Sequence, residues 1–172
     1  MSKIEIRQTG ILDTEAEAVV NAANENLLAG GGVCGVIFRA AGAAQLQQAC
    51  NAIGHCGTGS AVITPGFRLR AKYIIHAVGP VWSGGNRREP QLLYGCYRRS
   101  LELAKENGIH SICFPLISAG IFGYPPDKAW RKALQACLDF IRKEPDYDIQ
   151  ILFAIPAKPN FDLGIATLEE LS

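Results

Sequence analysis

Apolar positions along this chain come in two kinds of block, and the two kinds alternate. The first kind is short and rich in β-branched and aromatic residues. Residues 4–8, 18–21, 60–64, 72–78, 111–116 and 149–155 belong to it and are predicted as strands. The run 111–116 is apolar almost throughout, as expected of a strand covered on both faces. The second kind is longer, with apolar residues three or four positions apart. It predicts helices over 35–41, 44–53, 90–107 and 127–142, and a short one over 165–171. Pro90 suits a first helical turn. Leu93, Tyr97, Leu101 and Ala104 then share one face until Asn107-Gly108 ends the helix. Trp130, Ala133, Leu134, Cys137, Phe140 and Ile141 mark the buried face of the next helix.

Strands alternating with helices predict a layered α/β fold with a largely parallel sheet. Ligands of such sheets sit beyond the carboxyl ends of the strands. Two glycine-containing loops each follow a predicted strand, so both are expected on that edge.

Composition narrows the function classes. The chain is 172 residues long, 48% hydrophobic and 19% charged, with a formal net charge of +1. That length suits one domain over residues 1–172. The charge gives no reason to expect bulk attraction to nucleic acid or to an anionic membrane. None of the six cysteines forms a C-x-x-C pair, and no His/Cys/Asp cluster has ligand spacing, so no metal is expected. Cys113 and Cys137 read as small buried hydrophobes. No apolar run reaches the roughly 20 residues of a membrane span, and a reducing cytoplasm is the expected location. Oligomeric state is not legible. The G-x-G-x-x-G and G-x-x-x-x-G-K-[ST] motifs are absent, which disfavours a redox dinucleotide enzyme or a P-loop NTPase.

The candidate chemistry lies in the two loops. The first runs Val20-Asn21-Ala22-Ala23-Asn24, then Leu27-Leu28-Ala29-Gly30-Gly31-Gly32-Val33-Cys34-Gly35. Its glycines let backbone N–H groups approach a ligand, and a helix N-terminus follows, a pairing suited to a diphosphate. Asn21 and Asn24 can hydrogen-bond hydroxyls without adding charge. The second loop runs from Pro115 to Pro125 and contains Ser118-Ala119-Gly120-Ile121-Phe122-Gly123. It suits the other side of a phosphate pair. A tight strand–helix turn with Phe122 in the core explains the same residues equally well.

With these motifs in order, the sequence resembles the macro-domain family, in its deacetylase-like branch. The matching stretches are Val20 to Gly35, Arg39 to Gly42, Gly57 to Thr64, His76 to Trp82 and Phe114 to Pro125. The resemblance implies a three-layer α/β/α fold with a mostly parallel, mixed central sheet. It implies ADP-ribose or an ADP-ribosylated protein as the partner, with no cofactor. Ile11 would contact adenine, and Asn24 would hold the distal ribose, with Ala22 nearby. Gly31, Gly32 and Val33 would line the diphosphate from one side, and Ser118, Ala119, Gly120, Ile121 and Phe122 from the other. Phe122 would also orient the distal ribose.

Three departures follow from the same comparison. The family's Gly-Asp before the isoleucine, whose carboxylate accepts from the adenine amino group, is Thr9-Gly10 here. Loss of such a charge-assisted bond weakens binding by roughly 10- to 100-fold. Active deacetylase-like members usually carry Asp where this chain has Cys34, though some active viral macro domains lack an acid there, and many relatives carry His where it has Phe38. Two functions stay open: hydrolysis of mono-ADP-ribosyl esters or O-acetyl-ADP-ribose with Asn24 positioning water, or an inactive ADP-ribose reader. A third is recognition of another nucleotide or an RNA end, given the divergent tail Ala157 to Phe161. Cys34 is itself a candidate nucleophile, because a helix N-terminus lowers thiol pKa. A bound diphosphate would oppose that.

Overall fold

Six strands make one sheet in the computed structural model, which describes residues 1–172. The strands are β1 (Lys3–Arg7), β2 (Ala18–Ala22), β3 (Ala61–Pro65), β4 (Tyr73–Ala77), β5 (Ser111–Phe114) and β6 (Gln150–Ala154). Their order is β1-β6-β5-β2-β4-β3. Every pairing is parallel except that of edge strand β3 with β4. Central β2, Ala-Val-Val-Asn-Ala, is buried over its first four residues, whereas edge strand β1 alternates polar and apolar.

The helices are α1 (Gly32–Ala41), α2 (Ala43–Ile53), α3 (Glu89–Glu106), α4 (Pro126–Lys143) and α5 (Lys158–Leu171). α3, α4 and α5 pack together on one face of the sheet. Tyr97, Phe114, Trp130 and Phe153 pack ring against ring there within a core of 28 buried residues. α1 and α2 cover the other face over β2, β4 and β3, around a second core of 16 residues. This is the three-layer α/β/α arrangement with a mixed, mostly parallel sheet.

Several boundaries differ from the sequence expectation. α1 begins at Gly32 rather than residue 35, because glycines form its cap and first turn. β5 ends at Phe114, since the next backbone groups leave the ladder for a side chain: the Tyr97 hydroxyl donates to Pro115 O and accepts from Ile117 N. A 3-10 turn at Ile11–Asp13 was not expected. α5 starts at Lys158, not 165; Pro159 is tolerated in its first turn, and the Trp130 indole N–H donates to Asn160 O at 2.9 Å.

Gly164 sits where α5 crosses that indole. A Cβ there would lie 2.4 Å from the Trp130 ring. Gly164→Ala should therefore cost about 1–3 kcal/mol through overpacking, despite the better helix propensity of alanine. Urea unfolding of the two proteins measures it, and an unchanged or raised midpoint would show that α5 shifts freely.

Candidate functional site

Between β2 and β5 the ladder holds only two partner pairs, Ala18↔Ile112 and Val19↔Cys113. Beyond them the chain after β2 turns to one face, into α1, and the chain after β5 turns to the other, into α4. Neighbouring strands whose exits diverge leave a crevice at their carboxyl ends. The loops meet it through Leu28 and Phe122: a cleft of about 350 Å³ opens there, lined by Asn24, Glu25, Leu28, Thr58, Val81 and Phe122 among others, while Gly31, Gly32, Val33 and residues 118–121 lie outside this lining.

The first loop is held from within. Asn24 Nδ2 donates to Leu28 O at 2.8 Å, and Leu28 N–H donates back to Asn24 Oδ1 at 2.9 Å. Gln47 of α2 clamps the next turn, donating to Leu27 O and accepting from Ala29 N. Gly32 has φ +57°, a left-handed value that glycine adopts without strain. Open space lies above Gly31 and Gly32, beside the unpaired N–H groups that begin α1. Val33 is half-buried in that first turn, and Ala22 closes β2 against Ala77.

The second loop is held by Tyr97 at its entry and by a left-handed turn at Ser118, φ +69°. Ser118 O accepts from Tyr124 N, Gly120 O from Gly123 N, and Phe122 O from Trp82 N at 2.8 Å. The Ser118 hydroxyl is buried without a partner. Phe122 lines the cleft instead of joining the core, Ala119 is half-buried, and Ile121 is 88% exposed. The loop is thus more than a strand–helix turn.

Cys34, in the first turn of α1, faces inward and is buried. Its thiol lies 3.6 Å from Asn21 Nδ2, which donates to it, and 3.7 Å from Leu28 O, to which it donates. The other Asn21 N–H meets His76 Nδ1 at 3.1 Å, and His76 Nε2 meets Thr64 Oγ1 at 2.9 Å. Thr64 spends its proton on Pro65 O. These roles require neutral His76 with its proton on Nε2, and burial lowers its pKa to about 4. Phe38 packs edge-on against the same imidazole.

Ile11 is buried in the 3-10 turn, in one core with Cys113 and Ala154. The Asp13 carboxylate folds back over Gly10: its Oδ2 lies 2.7 Å from where a Cβ of residue 10 would stand. A carboxylate therefore occupies this corner although residue 10 supplies none.

The sequence reading missed Glu25, Thr58 and Val81. Glu25 Oε2 accepts from the Thr58 hydroxyl at 3.0 Å and the Thr58 N–H at 3.2 Å, and these bonds hold its carboxyl below the usual carboxylate range. Its neighbour Asn24 was the only signal for it. A second, larger groove of about 410 Å³ crosses the part of the sheet that α1 and α2 leave open, lined by Lys3, Arg7 and Arg70 as well as Glu5, Asp13 and Glu15. None of its lining residues belongs to either loop, and Asp13 joins it to the turn that carries Ile11. No group of three or more His, Cys, Asp or Glu side chains is placed to hold a metal ion, and no helix is long and apolar enough to cross a membrane.

The Macro domain family model matches residues 20–133. A macro domain-containing protein of Methanosarcina mazei is 48% identical over 143 residues, covering 83% of this chain and 76% of that protein. The O-acetyl-ADP-ribose deacetylase of Salmonella typhimurium is 48% identical over 146 residues, covering 83% and 81%. Among solved structures, the Oceanobacillus iheyensis macrodomain with ADP superposes with a TM-score of 0.92 at 35% identity, over 99% of this chain and 92% of that one. The Trypanosoma brucei macrodomain in complex with ADP-ribose gives 0.88 at 34%, over 98% and 69%.

His76 makes stability pH-dependent with a definite sign. Its folded pKa of about 4 lies below the ordinary value of 6.5, so between these values the unfolded chain binds a proton that the folded chain refuses. Stability should fall on acidification from pH 6.5, by about 2 kcal/mol at pH 5. Urea unfolding at pH 7 and pH 5 should show this loss in the native chain and a much smaller one in His76→Gln. Equal losses in both would refute the assignment.

Proposed function

Because the chain belongs to the macro-domain family, we propose that the cleft between its two loops binds ADP-ribose and that the protein hydrolyses esters on the distal ribose. The observation that carries the hydrolytic part is Glu25, a carboxylate kept ionised by Thr58 in the same cleft as Asn24 and Phe122. In this reading the free N–H groups at Gly31, Gly32 and Val33 meet the diphosphate from one side. The backbone from Ser118 to Phe122 meets it from the other. Preorganised backbone donors neutralise such charge without reorganising. Ile11 floors the adenine, and Ala22 lies beneath the ribose end. Asn24 Oδ1 and Nδ2 each spend one hydrogen bond on Leu28, which leaves one lone pair and one N–H for a ribose hydroxyl and a water. Phe122 sets the ribose orientation.

The chemistry needs no cofactor. Water adds to the ester carbonyl while one of its protons passes to the Glu25 carboxylate. The bond from that carbonyl carbon to the ribose oxygen then breaks. The proton returns to the ribose oxygen, which leaves free ADP-ribose and a carboxylic acid. Mono-ADP-ribosyl esters of acidic side chains and O-acetyl-ADP-ribose share this bond. A second reading, an ADP-ribose reader without turnover, is favoured by Cys34, whose thiol stands where active deacetylase-like members usually carry a carboxylate.

Release of ADP-ribose from a glutamate-modified protein decides between them. Glu25→Gln should slow release by about 10²-fold or more while leaving the Kd for ADP-ribose unchanged. If the native chain retains the modified protein yet releases ADP-ribose no faster than the spontaneous rate, the reader stands.

The carboxylate over Gly10 bears on adenine. Asp13→Ala should weaken ADP-ribose by roughly tenfold in calorimetry, through loss of a charge-assisted bond to the adenine amine. An unchanged Kd would mean that the base is held by Ile11 and its neighbours alone.

A further inference from the structure

Residues 82–88 leave the cleft on its Phe122 side and form an exposed loop with an unusual support. Glu89, only 1% exposed, turns its carboxylate into that loop and accepts the N–H groups of Ser83, Gly85 and Arg87 at 2.9, 2.9 and 2.6 Å. Burial alone would raise the Glu89 carboxyl; its own N–H and those of Gly85, Ser83 and Arg87 overcome this and bring it to about 2. A buried ionised carboxylate thus serves to fix the path of a solvent-exposed segment. A loop held so firmly by the scaffold presents its side chains in one arrangement, which is how binding loops are built.

What the loop presents is cationic and partly apolar. Arg87 and Arg88 are exposed, and neither has a carboxylate partner within 4.0 Å. Arg88 holds a left-handed backbone, φ +64°, which turns the chain from the loop into α3. Lys128 of α4, also exposed, lies over the Trp82 ring at 5.4 Å. Trp82 is tied in turn to Tyr124 by a ring contact at 4.7 Å and to Phe122 O by its N–H. The exposed carboxylates near it are Asp127, beside Lys128, and Glu25, which lines the cleft with Val81 and Phe122. Val81, at the cleft wall, is 58% exposed and Ile121, beside Phe122, is 88% exposed. Unpaired cations on a fixed loop at the cleft mouth are complementary to a partner of opposite charge.

We propose that this loop, with Lys128, docks the polypeptide that carries the ADP-ribose and selects acidic segments. The inference rests on the ADP-ribose reading of the cleft and deepens it, because it makes the substrate a modified protein. An acetyl group on the ribose carries no chain that could run on from the cleft. A peptide joined through a glutamate side chain runs on past the cleft mouth at about 3.3 Å per residue, so its nearest neighbours meet Arg87 and Arg88. Carboxylates among them complete the pairs that the protein leaves open.

The test compares three fluorescent probes by anisotropy: free ADP-ribose, and two mono-ADP-ribosylated peptides alike except for glutamate or glutamine flanks. The native chain should bind the acidic peptide about tenfold more tightly than the neutral one at low salt, the scale of two or three exposed ion pairs, and lose the preference at high salt. The Arg87→Glu/Arg88→Glu variant should lose the preference while binding free ADP-ribose as before. Lys128→Glu should reduce it in part, which checks the surface without touching the loop. Native binding of free ADP-ribose with no preference between the peptides overturns the docking surface alone. Equal weakening of all three probes in the double variant overturns it as well, since the arginines would then serve the nucleotide. Failure of the native chain to bind free ADP-ribose overturns the cleft reading, and the docking surface with it.

Discussion

The divergence of β2 and β5 after two partner pairs is the constraint from which the rest of the site follows. Parallel strands need crossover connections, and here the two central strands send theirs to opposite faces. The same divergence splits the interior into two cores, one under α3, α4 and α5 and one under α1 and α2. At the carboxyl edge the backbone groups that would have continued the ladder are released. So are the first N–H groups of α1. An edge built this way presents donors without any charged side chain, and a doubly charged ligand is the complement of such a surface.

Releasing backbone at an edge costs order, and the structure restores it with polar side chains from the helices behind. Tyr97 pins the entry to the second loop, Gln47 clamps the first, and Glu89 gathers the segment beyond Val81. All three come from helices, the rigid parts of the scaffold. Each satisfies backbone groups that no strand or helix could reach. Two buried polar atoms remain without partners, Asn21 Oδ1 and Ser118 Oγ, and both belong to the strand and loop that flank the crevice. Buried polar groups are otherwise paired as a rule, so incomplete satisfaction concentrates where the fold is shaped for something other than its own stability.

Much of this was legible in the chain itself. α3 and α4 carry unbroken helical periodicity, and the apolar face read from the sequence is buried in both, except that Ile141 is only half-buried. The alternation of short and long apolar blocks gave the layers, and the position of each loop after a strand gave the edge. The beginning of α5 was hidden because Pro159 and Gly164 weaken its local signal, and both make sense only against the helix start and the Trp130 ring. The antiparallel β3 was hidden because alternation says nothing of direction when a strand follows a helix and precedes another strand directly. Glu25 and Thr58 are 33 positions apart, and nothing local joins them; their contact depends on where β4 and its neighbours lie. Likewise Asp13 lies three positions after Gly10, and only the tight 3-10 turn folds its carboxylate over that glycine.

The thiol at Cys34 fits the same logic better than a carboxylate would. Leu28 O, 3.7 Å from the sulfur, is an acceptor that already receives the Asn24 amide. A thiol can donate to it and accept from Asn21 at once. A carboxylate in this orientation would face that carbonyl with like partial charge and be left to Asn21 alone, because neutral His76 offers its Nδ1 only as an acceptor. Asn24, Leu28, Cys34, Asn21, His76 and Thr64 thus form one continuous chain of contacts from the cleft to the sheet edge, with each donor direction consistent with the next. Within that chain Cys34 steadies the carbonyl that steadies Asn24. A carboxylate does stand outside the chain, on the solvent side of the cleft, where it keeps its charge at little cost. Glu25 occupies that side.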